Sequence, residues 1–297
     1  MANLKEIRIR LGSINTTQQI TKAMKLVAAS KLKRATDRIL QMRPYSEKLN
    51  DMLRNIMSNL EGGGELSFNT VRPVKKVLIV VITSDKGLCG GFNANLLKTA
   101  NGLLKGRYAD ALSKGGVSML CIGKKGFDFF KKQKGLHLID THVGAMQSLQ
   151  FDTSRAISSG LMQSFLSGEY DVIELVYARF LNAATQQYTV ERFLPVEQAK
   201  PEPGKQAVRA DFIFEPAKEE LLQELVPKIL NTQFFKCLLD SNASEHGARM
   251  VAMEAATNNA QELMRSLRIQ YNRERQAAIT KEILEIVGGA AALEESR

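Results

Sequence analysis

The sequence predicts an α/β protein: a coiled coil built from long helices at the two ends of the chain, with a doubly wound α/β domain between them. Three observations predict it. Small and apolar side chains recur at both ends at alternating spacings of three and four, the period of a coiled-coil seam rather than of a broad core-facing stripe. Between those ends lie continuous apolar runs of strand length, separated by helical stretches. The C-terminal pattern also runs too far for any globular core to cover, since a helix of about 70 residues is about 105 Å long. The expected organisation is a helix over residues 1–60, a globular domain over 74–214 and a second helix over 215–297.

The first helix opens with Asn3-Leu-Lys-Glu6, a capping box with Asn3 as N-cap and Glu6 at N3. Ile7, Ile14, Thr21, Ala28, Ala35, Met42, Leu49 and Ile56 then recur every seven residues, with Leu4, Leu11, Leu32, Ile39 and Leu53 on the flanking row. Gln18 and Lys25 interrupt that row, and Pro44 is expected to kink the helix. Residues 1–48 hold 11 Lys and Arg against three acidic residues, so they carry +8 of the chain's net +10. A charge run is usually a solvated face, which is the reading for Lys5, Arg8 and Arg10. The cluster Lys22, Lys25, Lys31, Lys33, Arg34 and Arg38 is denser; nucleic acid, anionic lipid or an acidic protein surface would each suit it.

After the linker Gly62-Gly63-Gly64, the run Val74–Thr83 reads as a strand buried on both faces. Strands are also expected over 116–123, 135–140 and 170–180, with helices over 93–104, 124–134 and 153–166 between them. Gln186–Val196 alternates more and reads as a late antiparallel strand. Pro and Gly make a loop of Lys200–Gly204, and Ala210–Phe214 a last short strand.

The first strand ends in Ser84-Asp-Lys-Gly-Leu-Cys-Gly-Gly-Phe-Asn93, the most enzyme-like stretch of the chain. Glycines between a first strand and a first helix can admit a phosphate to the helix N-terminus. The spacing argues otherwise. Gly87, Gly90 and Gly91 do not make G-x-G-x-x-G, and no G-K-[ST] follows. With Asp85 they are assigned to a tight turn that lets strand and helix pack. No Ser/His/Asp group or paired carboxylates stand out, so no catalytic residue and no cofactor is expected. Cys89, Cys121 and Cys237 are too few and scattered for a disulfide framework or a metal site, and read as buried small residues. The three histidines show no ligand spacing.

The second helix is expected to start near Pro216, which suits a first helical position, with Glu219 and Glu220 against the positive end of the macrodipole. Its seam is Met250, Met253, Thr257, Ala260, Met264, Leu267 and Tyr271, and Gly288-Gly289 is expected to stop it. The N-terminus lacks an apolar signal-peptide core, and no apolar run approaches the roughly 20 residues of a membrane span. Synthesis and retention in the cytoplasm are expected, without lipid insertion.

Together these residues resemble the gamma subunit of F-type ATP synthase of the bacterial type. Four segments carry the resemblance, in order: Ile20–Lys31, Ser84–Asn93, Ser244–Met253 and Ile279–Ala290. The resemblance implies an antiparallel coiled coil with a Rossmann-like foot domain. It implies a rotor shaft that turns inside three alpha and three beta subunits and couples proton flow to ATP synthesis, with no bond chemistry of its own. Its foot would bind the c-ring and the epsilon subunit, as a peripheral protein on the cytoplasmic face of the inner membrane.

Residue by residue, the resemblance sets Lys22, Lys25, Lys31, Lys33 and Arg34 against acidic loops of beta subunits, which selects protein over nucleic acid as their counter-charge. It sets Arg275, Gln276 and Thr280 on a loop of the empty beta subunit, and Met24 and Arg249 where the two helices cross below that contact. Pairing Met24 with Arg249 would bring Leu4 opposite Ile269. Beyond it, Ile279, Ile283, Ile286 and Val287 form an apolar tip for the collar of the ring. The plant chloroplast form's inserted cysteine pair has no counterpart here.

Two other classes fit less. A nucleic-acid-binding coil should carry stacking residues among its charges, and residues 1–43 contain no aromatic. A Rossmann-type dehydrogenase or kinase would leave the long helices without a purpose.

Overall fold

The computed structural model describes residues 4–58, 68–70, 72–133, 135–147, 149–196 and 218–295; side chains at 43, 47, 50, 51, 53–58, 218–223 and 291–295 lie outside the description. The Asn3 cap, the Gly62–Gly64 linker, the 200–204 loop, the Ala210–Phe214 strand, the start at Pro216, and the seam side chains Leu53 and Ile56 therefore fall outside it too. The chain divides into two compact units, residues 1–27 with 250–297, and residues 28–249. Helix α1 (Leu4–Ser58) and helix α6 (Lys218–Glu295) each contribute to both.

In the second unit the elements run β1 (Val77–Ile82), α2 (Phe92–Lys105), α3 (Ala109–Ser113), β2 (Val117–Ile122), α4 (Lys124–Phe130), β3 (His137–Ile139), α5 (Phe151–Leu166), β4 (Val172–Phe180) and β5 (Gln186–Leu194). They form one sheet in the order β3-β2-β1-β4-β5. The first four strands are parallel and β5 is antiparallel to β4, as its alternation predicts. The apolar run of β1 is buried at all six positions. One face packs Phe92, Leu96, Ala100 and Leu104 of α2 with Phe130 of α4. The other packs Ile157, Leu161 and Phe165 of α5 with Val226, Leu230, Phe234 and Leu238 of α6. Helices on both faces make the sheet doubly wound.

Short α3 escapes the sequence pattern because one turn and a half shows no period. The strands lie up to three residues inside their expected limits, with the end of β4 at Phe180 and the start of β5 at Gln186 as expected.

In the first unit, burial follows the expected spacing. Along α1, Leu4, Ile7, Leu11, Ile14, Gln18 and Thr21 are buried or half-buried; along α6, so are Met253, Thr257, Ala260, Met264, Leu267 and Tyr271. The pairing is antiparallel. Arg8 donates to the Tyr271 hydroxyl at 3.2 Å, Thr21 and Thr257 share a hydroxyl hydrogen bond at 2.9 Å, and Lys25 meets Glu254 at 2.6 Å. Paired numbers thus add to 278 or 279, which sets Leu4 level with Glu274 or Arg275. The expected Leu4–Ile269 level is corrected by five or six residues. Heptads of Ala, Thr and Met allow several registers, and the polar pairs select one.

One helix-ending expectation also changes. Gly288-Gly289 does not stop α6, which continues to Glu295. Glycine permits a left-handed cap without compelling it, at about 1 kcal/mol per residue in a helix, and three alanines follow. Pro44 lies within α1, which continues as helix to Ser58. The carbonyl of Leu40, four residues earlier, loses its partner there, and Leu40 is solvent-exposed.

The sheet contains one buried charge. Glu174 on β4 is fully buried, beside a register shift between Ile173 and Glu174. Its carboxylate accepts from Arg107 at 2.6 Å and from the Tyr108 hydroxyl at 2.7 Å, with Arg192 at 3.8 Å. Burial and the adjacent carboxylate raise the Tyr108 pKa to about 12, so it remains a donor. Glu174→Ala removes the buried charge and leaves Arg107 and Arg192 able to reach solvent, so the main cost is the Tyr108 hydroxyl left without its acceptor, about 1–3 kcal/mol in urea unfolding. A loss within the surface-substitution range of about 0.5 kcal/mol would contradict this.

Candidate functional site

Among the described side chains of α6, Glu274 is the last half-buried one, and residues 275–290 are all exposed. This end is nonetheless apolar: Ile279, Ile283, Ile286 and Val287 are 48%, 54%, 69% and 59% exposed, with Leu284 beside them. Arg275, Gln276 and Thr280 lie at its base, and the Thr280 hydroxyl donates back to the Gln276 carbonyl at 2.9 Å. Alternation of exposed apolar and charged positions over four turns is a surface that water does not favour.

The basic residues divide by what they touch. Lys25 is committed to Glu254 in the first unit. Arg34 approaches Ser30 Oγ at 3.4 Å, and Arg38 donates to the Leu149 carbonyl at 3.4 Å. Lys22, Lys31, Lys33 and Arg34 are exposed. Met24 is half-buried in the first unit, whereas Arg249 belongs to the second.

The turn after β1 is held from several sides. Asn93 accepts from the Ser84 N–H at 3.0 Å and donates to Ser84 Oγ at 2.7 Å, while Asp85 accepts from the Lys124 N–H at 3.1 Å. Arg249 donates to the carbonyls of Lys86 at 3.1 Å and Gly87 at 3.4 Å. Its guanidinium is aimed by Glu245 at 2.7 Å and by His246 Nδ1 at 3.3 Å. Donation to Nδ1 requires that nitrogen to be unprotonated. Of the three glycines, backbone geometry requires only Gly90, at φ 58°; a Cβ on Gly87 would have room. Leu88 is also left-handed, at φ 62°, and its side chain is exposed. No sequence signal marks it.

In an open α/β sheet, ligands enter beyond the carboxyl ends of the strands, where the winding direction reverses. Here that point lies between β1 and β4. Helix α6 occupies it. Ser241 Oγ donates to the Ile82 carbonyl at 3.4 Å and Ser244 Oγ to the Ala178 carbonyl at 3.0 Å. Gly247 follows on the same face, where a Cβ would stand 2.9 Å from the Ala183 carbonyl oxygen. The stripe Ser241, Ser244, Gly247 was missed in the sequence; small residues three apart on a long helix are the signal that could have found it.

Two measurements check this geometry. Titration of the purified chain with ATP, ADP or NAD should give no saturable heat, and a micromolar affinity lost on Gly90→Val would overturn the blocked crevice. For pH, burial together with Arg249 and Lys31 lowers the His246 pKa to about 4. An unfolded histidine titrates near 6.5, so between these values the unfolded chain binds a proton that the folded chain refuses, and stability falls as pH drops. The loss is up to about 3 kcal/mol by that linkage, partly offset by Glu245, whose carboxyl is raised by burial. His246→Asn should flatten the dependence of the urea midpoint from pH 6.5 to 4.5; an unchanged slope would rule His246 out as its source.

The ATP synthase family model matches residues 3–293. An ATP synthase gamma chain of Cytophaga hutchinsonii is 52% identical over 294 residues, covering 99% of both chains. That of Flavobacterium johnsoniae is 51% identical over 293 residues, again 99% of each. Among solved structures, a chain of the Tetrahymena thermophila mitochondrial ATP synthase central stalk and c-ring aligns with a TM-score of 0.55 at 26% identity, over 80% of this chain and 99% of that one. A chain of the Euglena gracilis mitochondrial enzyme aligns at 0.66 and 19% identity, over 98% and 94%, which speaks to fold alone. With a family model spanning nearly the whole sequence and relatives matched end to end at half identity, the chain belongs to the ATP synthase gamma chain family.

Proposed function

We infer that the chain is the central rotor shaft of an F-type ATP synthase, turning proton flow through the membrane sector into ATP synthesis at an alpha/beta ring. The observation that carries this reading is the unpartnered end of α6, where an exposed apolar helix continues beyond the last seam residue. Non-directional apolar contacts suit a tip that turns in a collar, because they favour no single angle. Directed hydrogen bonds from Arg275 and Gln276 to one beta subunit suit the opposite task of marking an angle, each contributing roughly 1.5–3 kcal/mol when charge-assisted.

In this reading the ring holds three alpha and three beta subunits and the foot binds the c-ring and epsilon. The shaft performs no bond chemistry, and the assembly sits on the cytoplasmic face of the inner membrane. No described helix is long and apolar enough to cross a membrane. Lys22, Lys31, Lys33 and Arg34 meet acidic beta-subunit loops as exposed charges, with Lys25 shared between that role and Glu254. Thr280 lies beside the Arg275 contact, and Met24 and Arg249 occupy the family's positions for the helix crossing. The shaft also supports assembly and regulation of ATPase activity.

Native purification should bring down two larger nucleotide-binding subunits in threefold excess, and recovery of the chain without them would sink the reading. Three variants in the complex separate the contacts. Arg275→Ala with Gln276→Ala should lower turnover; Ile283→Asp with Ile286→Asp should chiefly lower the yield of complex. Lys22, Lys31, Lys33 and Arg34 changed together to Ala should impair proton-driven synthesis, although single exposed pairs contribute only about 0–1 kcal/mol. Normal turnover, full yield or wild-type synthesis, respectively, would remove the corresponding contact.

A further inference from the structure

The two long helices are not attached alike to the sheet domain. Neither apolar core of the sheet contains a described residue of α1, whereas Val226, Leu230, Phe234, Cys237 and Leu238 of α6 are part of one of them. The polar contacts show the same bias. From α6, Asn231 accepts from Ser158 Oγ, Gln233 donates to Glu191, Ser241 and Ser244 donate to strand-end carbonyls, and Arg249 donates to the turn after β1. Among the described residues, α1 offers the bond from Arg38 to the Leu149 carbonyl, at 3.4 Å. Apolar contacts resist separation but not sliding or twist, because they are non-directional. Hydrogen bonds to fixed backbone carbonyls resist both.

We propose that α6, not α1, is the member through which torque passes between the sheet domain and the shaft, and that Ser244, Gly247 and Arg249 form its clamp. This rests on the rotor-shaft reading above. The three residues lie within two turns of one helix and hold three separate pieces of the sheet: the Ala178 carbonyl on β4, the β4–β5 connection at Ala183, and the turn at Lys86–Gly87. Ser244 and Gly247 meet the domain on one face of α6 and Arg249 on another, and contacts on two faces oppose rotation of α6 about its own axis, which one contact could not. Gly247 sets the distance, since a Cβ there would meet the Ala183 carbonyl oxygen at 2.9 Å and its Cα at 3.2 Å. Arg249 is held ready by Glu245 and His246. Helix α6 is unbroken from Lys218 to Glu295, so twist applied at the clamp is carried by its hydrogen-bond ladder. These are positioning residues, acting through the helix they hold.

The test is single-molecule rotation of the assembled complex, with the ring fixed and a bead attached to the sheet domain. It is joined to the ratio of protons pumped to ATP hydrolysed in vesicles. Ser244→Ala with Arg249→Gln should lower torsional stiffness by about twofold or more, as both residues of the clamp that make directed hydrogen bonds are lost, and lower the proton ratio while ATP hydrolysis continues. Arg249→Lys should recover part of the stiffness, and Arg38→Gln on α1 should leave it unchanged. Unchanged stiffness in the double variant, or an equal loss in Arg38→Gln, would overturn the clamp. Should the double variant fail to assemble, Ser244→Ala alone carries the prediction at smaller amplitude, and full stiffness there overturns it. If the wild-type bead does not rotate at all, the shaft reading fails, and the clamp with it.

Discussion

The structure depends on α6 burying different fractions of its circumference along its length. From Val226 to Gly247 nearly every position is buried or half-buried; from Met253 to Glu274 burial is confined to a seam; from 275 to 290 it is absent. Composition follows the change. The buried stretch uses Phe234, Leu238, Leu239 and Ala243 with polar residues that find partners, while the seam narrows to Met, Thr, Ala and Leu. Backbone hydrogen bonding is the same throughout, so the helix itself costs little to continue. What changes is the supply of partners, which among the described residues runs out at Glu274 while the helix continues.

That shortage explains why the coil is polar where it is. A seam of small residues brings two backbones close but leaves its register underdetermined, since a shift of seven replaces one small side chain by another. The Thr21–Thr257 hydroxyl pair and the Lys25–Glu254 bridge remove the degeneracy. A shift of one heptad would set Thr21 opposite Met250 or Met264 and lose the shared bond, at about 0.5–1.5 kcal/mol, since each hydroxyl keeps the carbonyl of Gln18 or Met253 on its own helix. The register so chosen decides how far α6 extends beyond the first residues of α1.

Much of this was legible in the sequence, and the limits have physical causes. The seam could be read because alternation of three and four over many turns has no other common source. The parallel strands could be read because burial on both faces makes them continuously apolar, and β5 because an edge strand alternates. The register could not, because apolar heptads are degenerate. The end of α6 was misplaced because two glycines weaken a helix without forbidding it. Within the candidate site, the exposed tip was visible as apolar residues outlasting the partner helix. The clamp was not. Ser244-Glu-His-Gly-Ala-Arg249 was recognised as a family segment, yet its meaning lies in Ala178, Ala183 and Lys86, which are distant in sequence and contribute backbone atoms that no side-chain pattern records.

The same contacts bear on the crevice of the sheet. A doubly wound sheet leaves a crevice above its carboxyl edge, and many sheets of this kind hold a ligand there. Here Ser241 and Ser244 of α6 satisfy the strand-end carbonyls of Ile82 and Ala178 that border that crevice. A helix seated by its own hydroxyls and a glycine contact is permanent in a way that an exchangeable ligand is not. Loss of the crevice and gain of a fixed axle are therefore one structural fact: the surface that would bind a small molecule binds a helix of the same chain. The Gly-rich turn beside it keeps a phosphate-loop appearance because Gly90 still needs its left-handed backbone, while Arg249 occupies the carbonyls of Lys86 and Gly87 from the helix side. The residues that look most enzymatic in the sequence are thus among those that α6 is bonded to.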